Sequence, residues 1–157
     1  MLLVINMNQE ALRPGVKSIF QSLYQQFLES SINKTIPPNL ILFLVELYFV
    51  DREICEIVFL VSDNLSYMCQ QETYSNCIYW QYSNSLSKII VINNVKERTG
   101  YSMLEPRVNS EMFIEIPIDA QLHMILNAEF SGYQVTRDEK KWFGDIIETL
   151  GFHVGFK

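Results

Sequence analysis

Between Asn39 and Leu60 the sequence NLILFLVELYFVDREICEIVFL places long apolar runs on either side of a charged break at Asp51-Arg52-Glu53. From Leu40 to Val50 only Glu46 is charged, and β-branched or aromatic residues sit at both parities. A strand that is apolar on both faces must be covered on both, so this hairpin is expected in the middle of a sandwiched sheet. Upstream, Val16, Ile19, Phe20, Leu23, Phe27 and Leu28 recur at helical spacing, with Lys17, Gln21, Gln25 and Glu29 on the other side. The spacing predicts a helix over 14–30 with Pro14 in its first turn, where the missing N–H costs nothing. Pro37-Pro38 then forbids helix and leads into the hairpin. Residues 1–7 are apolar and fit a short strand or the start of a helix.

Downstream, KIIVI at 88–92 reads as a short buried strand that Asn93-Asn94 ends. Two alternating strands follow at 111–118 and 121–130. Met112, Ile114, Ile116 and Ile118 oppose Glu111 and Glu115, while Leu122, Met124, Leu126 and Ala128 oppose Gln121, His123 and Asn127. One face of this half of the sheet is therefore the less apolar, and the Glu111–Glu115 pair reads as a solvated face. Thr136-Arg137-Asp138-Glu139 is a capping box. It opens a last helix striped by Trp142, Phe143, Ile146, Ile147 and Leu150, with fraying expected after Leu150. The stretch from Ser62 to Ser87 has no basic residue and holds Tyr67, Tyr74, Tyr79, Trp80 and Tyr82 among Ser, Asn and Gln. It is too long for an ordinary connection and predicts one or two short helices.

Composition narrows the class. With 157 residues, 48% apolar and 19% charged, the chain reads as one globular domain over 1–157. A net charge of -6 and scattered Lys and Arg leave nothing to draw the molecule to nucleic acid or to an anionic membrane. No run approaches the length of a membrane span, and MLLVIN lacks the charged region of a signal peptide. Cys55, Cys69 and Cys77 are an odd set, which favours a reducing compartment and a cytoplasmic location.

The order of elements, taken with particular residues, resembles the GAF domain family. Ile116-Pro117-Ile118 looks like that family's Pro-ended strand, Leu126-Asn127-Ala128-Glu129 like its leucine-asparagine-apolar-acidic strand, and Thr136 to Glu139 like its capped last helix. KIIVINNV at 88–95 looks like the strand and turn before its variable loop. The resemblance implies an α+β fold: a GAF/PAS-like antiparallel sheet of five or six strands with helices on both faces. It also implies a homodimer seam through the first and last helices.

Each chemistry associated with such folds makes a demand on the residues. Bilin attachment needs a cysteine near the variable loop, and residues 78–157 have none. Cyclic-nucleotide relatives use an Asn-Lys, a Phe and an Asp-Glu in register. Asp138-Glu139 is present, but Gln134 stands where the Phe belongs and Asn33-Lys34 precedes the sheet. Relatives that reduce free methionine sulfoxide need a reactive thiolate in the loop before the Pro-ended strand, here 96–110, which has no cysteine; Cys77 lies near the place of a second thiol. Cys55 reads as core filler, and the histidines and cysteines show no metal-ligand spacing. His123, on an alternating strand, reads as a satisfied or half-exposed residue.

The expectation is thus a non-catalytic sensory or regulatory domain without cofactor or metal, acting in signal transduction by association. It would bind a small molecule between the sheet and the 62–110 segment. Tyr79, Trp80 and Tyr82 would wall the pocket, and Arg98, Tyr101 and Arg107 would supply polar or anionic contacts. A module for protein interaction or dimerisation, its aromatics merely roofing the sheet, is the alternative. A thiol-dependent free methionine sulfoxide reductase stands third.

Overall fold

The structure, a computed structural model, describes residues 4–7, 13–68, 70–98 and 105–157. Its elements are strand β1 (Val4–Met7), helix α1 (Pro14–Ile32), strands β2 (Leu40–Phe49), β3 (Ile54–Ser62), β4 (Gln71–Thr73), β5 (Lys88–Ile92), β6 (Ser110–Asp119) and β7 (Leu122–Phe130), helix α2 (Arg137–Thr149) and strand β8 (Gly155–Phe156). Short 3-10 turns fill much of 65–85 and recur at 95–97. The fold is α+β. Among the described residues its sheet has eight strands, in the order β1-β3-β2-β7-β6-β5-β8, with β4 paired to the first residues of β3. All the long strands run antiparallel, and only the small β5–β8 pair is parallel.

The doubly apolar hairpin lies where its pattern requires. β2 is flanked by β3 and β7, and Leu40 to Tyr48 are buried throughout. The turn after β2 closes with Glu53 in the left-handed region, at φ 53°. Opposite the junction of Val45 and Glu46 the register slips: Val45 pairs with Phe59 and Glu46 with Ile57, so Val58 is an extra residue. This β-bulge sends Phe59 and Ile57 to opposite faces although they share a parity.

Both long helices cover one face. Phe20 and Phe27 of α1 and Phe143, Ile146 and Ile147 of α2 pack on Phe43, Val45, Phe59 and Leu126. Phe27 and Phe43 meet at 4.8 Å between ring centres. Trp142 stands edge-on to Phe27, Phe43 and Phe130, so its ring belongs to this layer. Thr136 forms the predicted capping box with Glu139. The helix ends at Thr149, and Gly151 then takes φ 94°, a backbone conformation glycine adopts without strain. No helix among the described residues is long and apolar enough to cross a membrane.

The opposite face is covered by the 3-10 turns of the aromatic segment. Tyr74, Cys77 and Tyr79 pack there with Cys55, Ile90, Phe113 and Ile125. Glu111 and Glu115 lie under this cover and are 2% and 5% exposed, which corrects their reading as a solvated face. Strand alternation says which residues share a face; it does not say whether a loop will later close over them.

Candidate functional site

Under that cover lies a cavity of about 350 Å³. β2 contributes Leu44 and Glu46, β3 Ile57, β6 Glu111, and β7 Asn127 and Glu129. Alternation on adjacent antiparallel strands brings these side chains to one surface, with Glu111 paired to Glu129 in register. The roof is Cys77, Ile78 and Tyr79, and the exposed Gln70, Gln71, Glu72 and Asn76 stand at the mouth. Among the described residues, four glutamates and no basic residue line this space.

Such a concentration of carboxyls out of water raises their proton affinity. Burial, then the neighbouring Glu72, push the Glu46 carboxyl up to about 8, against an opposing hydrogen bond with Tyr79. Burial and the nearby Glu111 and Glu46 hold Glu129 well above the usual carboxylate range. Asn127 Nδ2 donates to Glu111 Oε2 at 2.9 Å. Glu46 Oε2 and Asn127 Oδ1 are buried acceptors without a hydrogen-bond donor. The cavity is therefore built to receive a group that carries positive charge or N–H donors.

One wall carries thiols. Cys77 Sγ lies 3.6 Å from Glu72 Oε2 and 3.5 Å from Thr73 O, as donor to each. Cys55, on β3, points to this same face because of the bulge. The ligand atoms of Cys55, Cys77 and Glu46 all fall within 4.8 Å of one another. A hydrogen bond with Cys77, then burial, raise the Cys55 thiol far above its ordinary value and keep it protonated. Cys55 is thus buried in the packed layer, as expected, with its sulfur beside that of Cys77, which does line the cavity. Neither it nor Cys77 reveals this by spacing, since the pairing arises from the turn after β4.

A second polar group seals the same face further along. Tyr74 Oη donates to Glu115 Oε1 at 2.6 Å, and His123 Nδ1 meets Glu115 Oε2 at 2.6 Å. Tyr48 stacks on Tyr74 with ring centres 3.8 Å apart. His123 is thereby satisfied.

Of the residues expected at the pocket, Tyr79 lines the cavity. Trp80 is its sequence neighbour and points outward, 53% exposed. Tyr82 packs edge-on to Phe113 and accepts a hydrogen bond from Arg98 Nη2 at 2.6 Å. Arg107 pairs with Asp63 at 2.8 Å and Glu105 at 3.0 Å, which holds both carboxyls below their ordinary range. Tyr101 lies outside the described residues, as does Cys69. The residues that sequence reasoning passed over are Glu46, Glu111, Asn127 and Glu129. Their signal was in the sequence: Glu46 is the single charge in an apolar strand, and Glu111, Asn127 and Glu129 occupy alternate positions opposite the apolar residues of β6 and β7.

No protein-family model matches the chain, and no curated protein matches it. Solved structures do. The chain is similar to the free methionine-R-sulfoxide reductase of Neisseria meningitidis, solved with its substrate, at 11% identity and a TM-score of 0.54 over 71% of this chain and 65% of that one. It is similar to the type II free methionine-R-sulfoxide reductase of Thermoplasma acidophilum at 10% identity and a TM-score of 0.59, over 88% of this chain and 97% of that one. The reduced form of the Staphylococcus aureus enzyme gives 12% identity and a TM-score of 0.54, over 78% and 76%. At these identities the likeness speaks for the fold, which is GAF-like as its element order implied.

It also corrects the functional expectation. Three solved structures of one class of enzyme share this fold, against the exclusion of the methionine sulfoxide reductase group. The reading of the chain as a non-enzyme, a sensor for signal transduction, falls with that exclusion. The physical reason for the error is specific. The expectation turned on the lack of a cysteine in the 96–110 loop, and the fold does not depend on one there.

Proposed function

We propose that this chain is a thiol-dependent reductase of a small sulfoxide-bearing amino acid, of the free methionine-R-sulfoxide type. The observation that carries the reading is a pair of thiols within 4.8 Å of each other, Cys77 on the wall of a cavity lined by Glu46, Glu111 and Glu129 and Cys55 buried behind it. The fold it shares with free methionine-R-sulfoxide reductases supports it. An ammonium group placed beside Glu111 and Glu129 supplies the missing positive charge, and Asn127 Oδ1 accepts one of its N–H bonds. About 350 Å³ suits a ligand of that size.

The chemistry then follows from the wall. Cys77 loses its proton toward Glu72 and attacks the sulfoxide sulfur. Glu46, still protonated near neutral pH, donates to the sulfoxide oxygen. A bond forms from Cys77 to the substrate sulfur. Transfer of the protonated oxygen from that sulfur to Cys77 then breaks both the sulfur–oxygen bond and the new sulfur–sulfur bond, releasing the sulfide and leaving Cys77 as a sulfenic acid. The Cys55 thiol displaces that oxygen as water and closes a Cys55–Cys77 disulfide. The sulfoxide is reduced by the electrons of both thiols, and an external dithiol restores them. A reducing, cytoplasmic setting supplies such a dithiol.

The test is turnover of the separate R and S forms of free methionine sulfoxide by the full chain with dithiothreitol, methionine being quantified by chromatography. Methionine from the R form, none after Cys77→Ser, and a loss on the order of a hundredfold after Glu46→Gln are expected. No methionine from either form, or full activity in the Cys77→Ser chain, overturns the reading.

A further inference from the structure

We propose that Cys55, Cys77 and Glu46 form a binding site for one soft divalent cation of the zinc class, with Glu72 as a further donor from the mouth of the cavity. It stands apart from the reductase reading, since it needs no substrate and no turnover.

The donor set is the first ground. Two thiols and a carboxyl, all buried, have their ligand atoms within 4.8 Å of one another. Around a tetrahedral zinc, two thiolate sulfurs sit about 3.8 Å apart, given Zn–S bonds of about 2.3 Å. The limit of 4.8 Å on every pair of ligand atoms brings this donor set close to the separations a single zinc ion requires. Cys55 and Cys77 already share a hydrogen bond, and Cys77 Sγ is 3.6 Å from Glu72 Oε2. Mixed sulfur and oxygen ligation selects zinc and its relatives over magnesium or calcium, which require oxygen alone.

The second ground is independent of spacing. Glu46 is 8% exposed, and its Oε2 has no hydrogen-bond donor. A buried carboxyl oxygen without a donor, on a side chain grouped with two thiols, is an acceptor that a cation would satisfy. The third is charge. Among the described residues, Glu46, Glu72, Glu111 and Glu129 line the cavity without a single Lys or Arg. Binding releases both thiol protons, and the resulting thiolates and carboxylates neutralise the metal. The cavity provides the entry path, and Glu72 at its mouth completes a set of four donors.

A metal held here occupies both sulfurs that the reductase reading needs. Zinc would then act as a reversible inhibitor of sulfoxide reduction and as a shield of the dithiol against oxidation.

The experiment uses the full chain, reduced, freed of metal with a chelator and kept under argon. Cobalt is added first, because thiolate ligation gives an intense charge-transfer absorption in the near ultraviolet. Zinc then displaces it, and a chromogenic chelator counts the metal. One equivalent per chain with thiolate-to-cobalt absorption is expected. Cys77→Ser should abolish that band, Glu46→Gln should weaken binding about tenfold or more, and His153→Ala should change nothing. Zinc should also protect Cys55 and Cys77 of the unaltered chain from alkylation, read by mass spectrometry, which keeps the test alive if a Cys55 variant does not fold. No cobalt band, or a band that survives Cys77→Ser, or unchanged alkylation of both cysteines in zinc, overturns the proposal. Each readout is taken without substrate, so loss of the reductase reading leaves it standing, and its own loss leaves the reductase reading intact.

Discussion

The two faces of the sheet are made from the same strands and obey opposite rules. On the helical face the buried layer is almost wholly apolar, and Phe20, Phe27, Phe43, Phe59, Phe130 and Phe143 are at most 1% exposed. On the other face the same strands bury Glu46, Glu111, Glu115, Asn127 and Glu129. A carboxyl removed from water without a cation loses several kcal/mol of hydration, offset here by protonation and hydrogen bonds. The first face holds the protein together. The second is tolerated only because the first is so strongly apolar, and this division of labour is what a site for polar chemistry requires of a small domain.

The comparison yields a ranked set of outcomes. Phe43→Ala removes the ring that touches both helices and should cost about 3–5 kcal/mol in urea denaturation. A loss below 1 kcal/mol would deny the helical face its role. Glu46→Gln should act in the opposite sense. The folded chain holds a Glu46 proton between pH 4.5 and about 8 that the unfolded chain has released. Stability contributed by that group is whole below pH 4.5 and is lost as the pH rises through about 8. The substitution should flatten the decline by up to about 1.4 kcal/mol per pH unit; unchanged slopes from pH 5 to pH 8 would show that Glu46 titrates normally.

Smaller effects refine the picture. Tyr74→Phe leaves Glu115 with His123 as its remaining partner and should cost about 1–2 kcal/mol. Thr136→Ala opens the capping box of α2 and should cost about 1 kcal/mol by thermal melting, with no change in the pH dependence that Glu46 governs.

Much of the fold was legible because it is written in local patterns. β5 falls at 88–92 as the KIIVI run indicates, and α2 begins at the cap its Thr136 and Glu139 specify. The hairpin at 40–62 was legible from its lack of charge. The site was less so, for a physical reason. Glu111 and Glu129 are eighteen positions apart in sequence order and meet only through strand register; Cys55 and Cys77 meet only because the 3-10 turn at 74–76 folds back over β3. Alternation placed Glu111 and Glu115 on one face correctly, but their burial depends on a cover whose own pattern is irregular. Tyr79 and Trp80 show the same limit: composition marks both as pocket material, and the turn directs one inward and the other out.

The extra residue at Val58 gives β3 a form of slack. Upstream of it, Ile57 answers to the cavity and Cys55 to the packed layer beside it; downstream, Phe59 and Val61 answer to the helices. Either half can therefore exchange side chains without re-aiming the other. A relative with an unbulged strand would superpose on this one in space while being offset by one position in sequence, so a thiol such as Cys55 escapes any residue-by-residue alignment that assumes an even count.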